Sequence, residues 1–281
     1  MSSKSYKSLD PKRSLGQNFL SDPWWIQRIV NAFGLEPQDT VLEIGPGKGV
    51  LTNELLKTCG RLIAVEIDDR MVEYLGERFA GSTNLELVHQ DFLKYPLSEV
   101  LAGQPVRVIG NLPYHITSSI IGRVLDEIRA CQADSGAHAR ITSFDIMIQK
   151  EVGDRICSTH GTKVYGVLSV LAYMLCDVRI LLDVPPNAFY PRPKVTSSIL
   201  RFRPLPAPRY QITDWELFRK VVRAAFNQRR KMLRNSLLPL ADLLPEGFLS
   251  QTGLDWLERR PEQLSPLEFT QLANLVVEAR G

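Results

Sequence analysis

The stretch VLEIGPGKGVLTNELL, residues 41–56, joins an apolar run to a second apolar run through a glycine-rich turn. The first run predicts a buried strand over 40–45, and the second predicts a helix over 49–59. Gly45, Gly47 and Gly49 lie between them, and glycine permits both a tight turn and close approach of the backbone to a ligand. The stretch therefore predicts a strand–loop–helix unit with a binding site at the carboxyl end of the strand.

The glycine spacing differs from those of two common phosphate-binding loops. A dinucleotide fingerprint, G-x-G-x-x-G, would require its last glycine at Val50, and a P-loop would require G-x-x-x-x-G-K followed by Ser or Thr. The chain instead has E-x-G-x-G-x-G, beginning at Glu43. A glycine-rich turn is also typical of a tight connection without a ligand. The residues at the ends of the neighbouring strands are therefore needed to distinguish a binding loop from a simple connection.

Strands and helices alternate through the first two thirds of the chain. After a helix over 21–33 and the unit above, the pattern predicts further strands at 61–67, 85–91, 106–111, 141–149, 177–184 and 194–202. Such alternation predicts an α/β, Rossmann-like fold with a doubly wound, mostly parallel sheet. The last two strands are close in sequence and are expected to form an antiparallel hairpin at one edge.

A proline-rich segment marks a change of pattern. RPLPAPRY, residues 203–210, contains three prolines, and the chain beyond it has helical periodicity. We therefore predict an α/β domain over residues 1–205 and a small, all-helical domain over residues 206–281.

Two acidic residues end the second and third strands of the predicted parallel sheet. Glu66 is placed to accept hydrogen bonds from ribose hydroxyls, and Asp91 is placed to accept one from an adenine amino group. A glycine loop, Glu66 and Asp91 at successive strand ends resemble the class I S-adenosylmethionine-dependent methyltransferases. This resemblance implies S-adenosylmethionine as cofactor and S-adenosylhomocysteine as product, and it explains the missing phosphate-binding signatures.

The fourth strand runs into Asn-Leu-Pro-Tyr, residues 111–114. The Asn111 side-chain oxygen and the backbone carbonyl of Leu112 or Pro113 can accept the two hydrogens of an adenine amine. Holding that amine favours a nitrogen lone pair aimed at the methyl group, which is catalysis by positioning. Pro113 fixes the backbone and removes a donor, and Tyr114 offers a ring on which an unstacked base can lie.

Asn-Leu-Pro-Tyr together with the cofactor loop resembles the ribosomal RNA adenine dimethyltransferases. Further matching motifs occur at residues 13–20, 148–152, 162–170, 184–202 and 226–237. The later motifs point to the KsgA/RsmA branch of the family. That resemblance implies dimethylation of two adjacent adenines in the 3′-terminal hairpin of small-subunit (16S) rRNA, during small-subunit biogenesis. The implied partner is a pre-30S particle, and a cytoplasmic monomer is expected.

Two alternatives stay open at this point. One is an adenine methyltransferase of large-subunit rRNA, and the other is a ribosome assembly factor that acts mainly by binding. The intact cofactor and acceptor residues argue against the second alternative.

The resemblance also implies roles for individual residues. An arm carrying Asn18 and Leu20 is expected to close over the cofactor, completing a pocket formed by Gly45, Gly47, Glu66, Asp91 and Asn111. Phe189 is expected to be a second aromatic near the target base, although a core phenylalanine would fit its surroundings equally well. His115 departs from the bacterial pattern, which often has Asn there, and we expect it to orient a loop.

The basic residues are concentrated although the net charge is only +3. Residues 218–237 predict one basic helix with Arg219, Arg223, Arg230 and Arg234 on a shared face, and with Val222, Phe226 and Leu233 turned inward. Arginines on one face are suited to backbone phosphates, and no motif that reads duplex DNA is present. We therefore expect an RNA partner, with Arg223, Arg230 and Arg234 among the substrate-binding residues. The resemblance and these arginines together imply that residues 1–205 form the catalytic domain and residues 206–281 the RNA-binding domain.

Composition excludes several other classes. The four cysteines have no paired spacing, and with only four histidines the chain has no zinc-ligand pattern. The chain also lacks an apolar run of membrane-spanning length. We expect reduced thiols, no metal, no membrane association and a cytoplasmic location.

Overall fold

The computed structural model describes residues 18–100, 104–113, 116–134, 140–244, 247–248 and 254–280. The chain divides into two compact units. The first contains the residues up to Gly153 together with Arg179–Pro204, and the second contains Asp154–Val178 together with the chain from Leu205 onward. Residues 154–178 thus belong to the second unit, whereas the sequence analysis grouped them with residues 1–205. The roles assigned to the two predicted domains stay predictions.

A seven-stranded sheet with the order β4-β3-β2-β5-β6-β9-β7 forms the centre of the fold. Its strands are β2 (Thr40–Ile44), β3 (Arg61–Glu66), β4 (Leu85–His89), β5 (Pro105–Asn111), β6 (Arg140–Gln149), β7 (Cys176–Val184) and β9 (Ser197–Pro204). The first five pair in parallel, and β9 pairs antiparallel with β6. The predicted Rossmann-like sheet with an antiparallel edge is therefore confirmed, and β7 and β9 are neighbours as expected.

The chain order reverses between β2 and β5, which is where ligands bind in open α/β sheets. The sequence enters the sheet at β2, adds β3 and β4 on one side, and then returns to add β5 and β6 on the other. The carboxyl ends of β2 and β5 therefore meet at the point of reversal. β2 and β3 are buried along nearly their whole length, since helices cover both faces of such a sheet.

The described residues of the two units contain ten helices. They are α1 (Pro23–Phe33), α2 (Val50–Leu55), α3 (Asp69–Arg78), α4 (Leu97–Val100), α5 (Thr117–Ala133), α6 (Lys150–Ile156), α7 (Val167–Leu175), α8 (Trp215–Asn227), α9 (Leu233–Ser236) and α10 (Pro266–Glu278). No helix in these ranges combines the length and the apolar character needed to cross a membrane.

A short ribbon that the sequence did not predict lies beside the main sheet. β1 (Phe19–Leu20) pairs antiparallel with β8 (Phe189–Tyr190), so that Phe19 faces Tyr190 and Leu20 faces Phe189. A further hydrogen bond joins the two segments next to the ribbon: the backbone N–H of Ser21, which precedes α1, donates to the Ala188 carbonyl at 2.8 Å. It ties the segment before α1 to the segment before β9.

Two arginines hold the far end of α1 against the sheet. Arg201 donates to both carboxylate oxygens of Asp145, at 2.7 and 3.0 Å, and to the Phe33 carbonyl at 2.7 Å. Arg107 donates to the Gly34 carbonyl at 2.8 Å. Cations at a helix C-terminus satisfy its last carbonyls and oppose its dipole. The position of α1, and with it the segment leading into α1, is therefore fixed from both ends.

Apart from the first three residues of β7, the regular structure described in the second unit is helical, and the unit has an aromatic core. The rings of Tyr165 and Phe226 are 5.7 Å apart, and those of Phe226 and Phe269 are 5.8 Å apart. The core packs α8 and α10 together within this unit.

The prediction of one basic helix over 218–237 was wrong. α8 ends at Asn227 and a turn follows before α9 begins at Leu233. The Leu233 N–H donates to the Arg259 carbonyl at 2.8 Å, so a tertiary hydrogen bond replaces the one that a continuous helix would make. The four arginines therefore do not form one helical face, although Val222 and Leu233 are buried as expected.

Candidate active site

The loop between β2 and α2 depends on glycine at three alternate positions. Gly45, Gly47 and Gly49 have φ of 63°, 55° and 69°, which side chains disfavour. A Cβ on Gly49 would lie 2.5 Å from Leu75 Cδ2, and one on Gly47 would lie 3.0 Å from the Phe19 ring. The glycines thus permit both the turn and the close packing of its neighbours.

This loop forms one wall of a cavity of about 240 Å³ at the carboxyl ends of β2 to β5. Among its lining residues are ten that the sequence analysis singled out: Asn18, Leu20, Gly45, Gly47, Glu66, Asp91, Asn111, Leu112, Pro113 and Phe189. The structure therefore brings these candidates together. Tyr114 and His115 lie outside the described residues.

Glu66 is the last residue of β3, and its buried carboxylate is held by three backbone donors. One oxygen accepts from the Gly47 N–H at 3.0 Å, and the other accepts from the N–H groups of Ile67 and Asp68, both at 2.9 Å. Since a carboxylate offers about four lone-pair sites, one remains. Accepting both hydroxyls of a ribose therefore requires one of these bonds to be exchanged.

Asp91 stands beside an apolar surface that sequence reasoning missed. One of its carboxylate oxygens accepts from the Leu93 N–H at 2.9 Å, which caps a short 3-10 helix. Ile67, Phe92 and Leu93 line the same part of the cavity. The sequence signal for this surface is an apolar residue, Ile67, directly after the glutamate that ends β3. In the structure the Ile67 side chain is 54% exposed. The combination of a carboxylate and apolar walls is suited to a purine.

Glu43 is a second buried carboxylate in the cavity wall. Burial raises the pKa of its carboxyl to about 7. A hydrogen bond from Thr52 Oγ1, at 2.7 Å, lowers this pKa, and the nearby charge of Glu66 raises it further. Burial likewise raises the pKa of Glu66. Glu43 therefore anchors the start of α2 to the end of β2 from beneath the glycine loop.

The side chain of Asn111 has a defined orientation. Its Nδ2 donates to the backbone carbonyl of Asn18 at 3.2 Å. An amide that donates through nitrogen on one side presents its oxygen on the other, so Asn111 Oδ1 remains available as an acceptor.

The two neighbouring carbonyls differ in availability. The Pro113 carbonyl accepts from the Ile116 N–H at 3.2 Å and from Thr117 Oγ1 at 3.0 Å, which occupies both of its lone pairs. The Leu112 carbonyl receives no hydrogen bond from the described residues. Of the two carbonyls that the sequence left open, that of Leu112 is therefore the less engaged one.

The ribbon closes the cavity with aromatic and aliphatic side chains. Leu20 and Phe189 are buried and belong to one hydrophobic cluster with α1. Phe19, which the sequence analysis did not single out, also lines the cavity, and Lys48 Nζ lies 4.9 Å from the centre of its ring. Phe189 is thus both a core residue and a cavity residue.

The predicted substrate-binding arginines lie in the second unit. Arg223, on α8, and Arg230, in the turn after α8, are exposed. Arg234, on α9, forms an exposed ion pair with Glu258 at 2.5 Å.

Comparison with known proteins agrees with this geometry. A model of the family described as "Ribosomal RNA adenine dimethylase" matches residues 9–269. A protein of Syntrophotalea carbinolica named "Ribosomal RNA small subunit methyltransferase A" is 43% identical over 270 residues, which are 95% of this chain and 97% of that protein.

Two solved structures share the fold. A dimethyladenosine transferase from Plasmodium falciparum has a TM-score of 0.73 and 24% identity, covering 93% of this chain and 98% of that one. The 23S rRNA methyltransferase ErmE has a TM-score of 0.60 and 27% identity, covering 91% of this chain and 99% of that one. With the family match extending over nearly all of the sequence, the chain belongs to the ribosomal RNA adenine dimethylase family of S-adenosylmethionine-dependent methyltransferases.

Proposed function

We propose that this enzyme methylates the exocyclic amines of two adjacent adenines in the 3′-terminal hairpin of small-subunit rRNA, converting each to dimethyladenosine. The observation that carries the proposal is the Asn111 amide, which the Asn18 carbonyl orients with its oxygen available at the cavity. The name of the Syntrophotalea relative supports the small subunit as the source of the RNA.

The residues of the cavity fit S-adenosylmethionine. Glu66 offers a carboxylate for ribose hydroxyls, Asp91 offers one for an adenine amine, and Ile67 and Leu93 provide apolar walls for the ring. Gly45 and Gly47 let the backbone approach a ligand without a side chain in between. When bound, the cofactor supplies an electrophilic methyl group on a positively charged sulfur.

Asn111 and Leu112 position the acceptor. In the first of the two transfers to each adenine, the Asn111 Oδ1 and the Leu112 carbonyl accept the two hydrogens of the target amine, which directs the nitrogen lone pair away from both. In the second transfer the single remaining hydrogen engages one of these two acceptors. Holding the nitrogen in this geometry lowers the barrier by orientation and by polarisation. We assign Tyr114 and Phe189 to stacking on the extruded base, and we assign Asn18 and Leu20 to closing the arm over the cofactor.

The chemistry needs no strong base. Once the nitrogen had accepted the methyl group, with the methyl–sulfur bond broken and S-adenosylhomocysteine as the leaving product, the amine would be positively charged and acidic, and its proton would pass to water. The acceptor residues therefore act by orientation, and Glu43 serves to shape the loop.

Arg223, Arg230 and Arg234 are assigned to rRNA phosphates. Exposed guanidinium groups bind phosphates without reading sequence, so they supply affinity and register. The cavity at Asn111 then supplies base identity. We further propose that the protein acts as a monomer on a pre-30S particle in the cytoplasm.

The test is a methyl-transfer assay with labelled cofactor and small subunits from a strain that lacks this modification. Nucleoside analysis is expected to show dimethyladenosine at two adjacent positions of small-subunit rRNA. Large subunits from the same strain serve as the control and are expected to receive no label.

Two outcomes would contradict the proposal. Label in large-subunit rRNA alone would indicate a large-subunit substrate, as the name of the 23S rRNA methyltransferase ErmE gives for that protein. Tight binding to small subunits without any transfer would indicate an assembly factor that acts by binding.

A further inference from the structure

The ribbon carries aromatic side chains from the cavity to the surface. Phe19 lines the cavity and pairs with Tyr190 across the two strands. Residues directly opposite each other in an antiparallel pair project to the same face. Tyr190 is nonetheless 67% exposed, so it flanks the cavity from outside.

A second exposed aromatic lies at the start of α1. Trp24 is 59% exposed. A single exposed apolar side chain is common on a protein surface, and Trp24 matters because it follows the point where α1 is joined to the ribbon. The N–H groups of both Ser21 and Asp22 donate to the Ala188 carbonyl, at 2.8 and 3.3 Å. The first turn of α1 is therefore fastened to the strand that leads to Tyr190.

The Trp24 ring is held in place. It meets the Trp25 ring edge-on, with centroids 4.8 Å apart, and the Arg28 guanidinium lies 5.0 Å from the centre of the Trp24 ring. Asp22 Oδ1 accepts from the backbone N–H of Trp24 at 2.9 Å, which fixes the backbone that carries the ring. A ring held this way loses little entropy when a ligand stacks on it.

Three cations accompany the two aromatics: Arg28 packs on the Trp24 ring, and Arg192 and Lys194 follow Tyr190 by two and four positions in the sequence. Arg28, Arg192 and Lys194 are exposed, and none of them pairs with a carboxylate among the described residues. The nearest acidic side chain in sequence, Asp22, is engaged in capping α1. The local charge therefore complements an anion.

We propose that Trp24, Arg28, Tyr190, Arg192 and Lys194, here called the rim patch, bind single-stranded RNA that flanks the target adenine. Exposed aromatics interspersed with cations are the general means of binding unpaired nucleotides, since every base has a face to stack. Trp24 and Tyr190 stack on neighbouring bases, and the three cations contact phosphates. The proposal rests on the proposed function and adds a second binding site to it.

The experiment measures Kd for a fluorescein-labelled hairpin RNA whose single-stranded loop carries two adjacent adenines. A matched hairpin has abasic nucleotides at the other loop positions. The W24A/Y190A double variant is expected to bind the intact hairpin about tenfold or more weakly. It should bind the abasic hairpin as wild type does.

Three variants separate stacking from packing. Trp24→Phe keeps an aromatic face and is expected to retain affinity, whereas Trp24→Leu keeps only apolar bulk and is expected to lose it. Tyr74→Ala removes another aromatic that packs with an arginine, Arg78, and is expected to change nothing. S-adenosylmethionine affinity, measured by calorimetry, reports that each variant is folded.

Equal affinity of the double variant and wild type for the intact hairpin would overturn the proposal, as would no binding of the hairpin by wild type at millimolar concentration. Loss of affinity for small subunits alone would indicate a protein partner and would also overturn it. If wild type fails to form dimethyladenosine, the proposed function itself fails.

Discussion

At the scale of single residues, two buried carboxylates and one amide define the cavity. Glu66 is held by three backbone donors, Glu43 by one hydroxyl, and Asn111 by one carbonyl. Each hydrogen bond fixes a side chain in the orientation that its proposed role needs. A buried carboxylate also has a consequence for stability, because its ionisation in the folded state is unfavourable.

Glu43→Gln is expected to change how stability depends on pH. Burial raises the pKa of Glu43 from 4.5 to about 7, so between these values the folded state keeps a proton that the unfolded state has lost. The unfolding free energy of the wild type therefore falls as pH rises through this interval. Glutamine has no proton to lose, and the variant should gain stability relative to wild type from pH 5 to pH 8.

Urea unfolding of the cofactor-free protein at several pH values measures this difference. Glu73→Gln, an exposed substitution on α3, is the control and should follow the wild-type curve. A stability difference between Glu43→Gln and wild type that stays constant from pH 5 to pH 8 would show that Glu43 is not the group responsible.

The sequence predicted which residues meet at the cavity but not which atoms are available. It left the Leu112 and Pro113 carbonyls as equal alternatives, because the choice depends on two donors from the start of α5, Ile116 and Thr117. It also omitted Phe19, which gains its position through pairing with Tyr190. Such contacts are set by tertiary structure.

At the scale of elements, the glycine loop is fixed by packing against α3. Gly49→Ala is expected to lower the unfolding free energy by about 2 kcal/mol or more, since it combines a positive φ with overpacking. The added Cβ would lie 2.5 Å from Leu75 Cδ2 and 2.8 Å from Phe79 Cε2. Denaturant unfolding measures the change.

Gly76→Ala is the matched control on the neighbouring helix. A Cβ there meets nothing within 4 Å, and alanine is the better helix former by about 0.5–1 kcal/mol. It should therefore stabilise the protein slightly. Equal effects of the two substitutions would mean that loop packing does not constrain Gly49.

Elements with a clear apolar pattern were predicted at the right positions, and elements that depend on contacts distant in sequence were not. The strands around the glycine loop are continuous apolar runs, so their positions followed from the sequence. The two-residue strands β1 and β8 have no period to detect, and they exist because they pair with each other. The break between α8 and α9 likewise depends on the Arg259 carbonyl, 26 positions beyond Leu233.

At the scale of the whole molecule, the alternation of strands and helices in the sequence predicted the fold class. Which segments form each compact unit depends on where the chain leaves a unit and later re-enters it. The second unit takes in Asp154–Val178 as well as the chain from Leu205. The prolines at 203–210 coincide with the point at Leu205 where the chain enters the second unit, but a linear pattern cannot show that an earlier segment packs with a later one.

The central claim is that Asn111 orients the target amine at the carboxyl end of β5. The most direct measurement compares Asn111→Ala with wild type, by calorimetry of S-adenosylmethionine binding and by single-turnover methyl transfer to unmethylated small subunits. Asn31→Ala, an exposed substitution on α1, is the control. We expect the Asn111 variant to bind cofactor still and to lose about 100-fold or more in transfer rate. Transfer at the wild-type rate by Asn111→Ala would contradict the account.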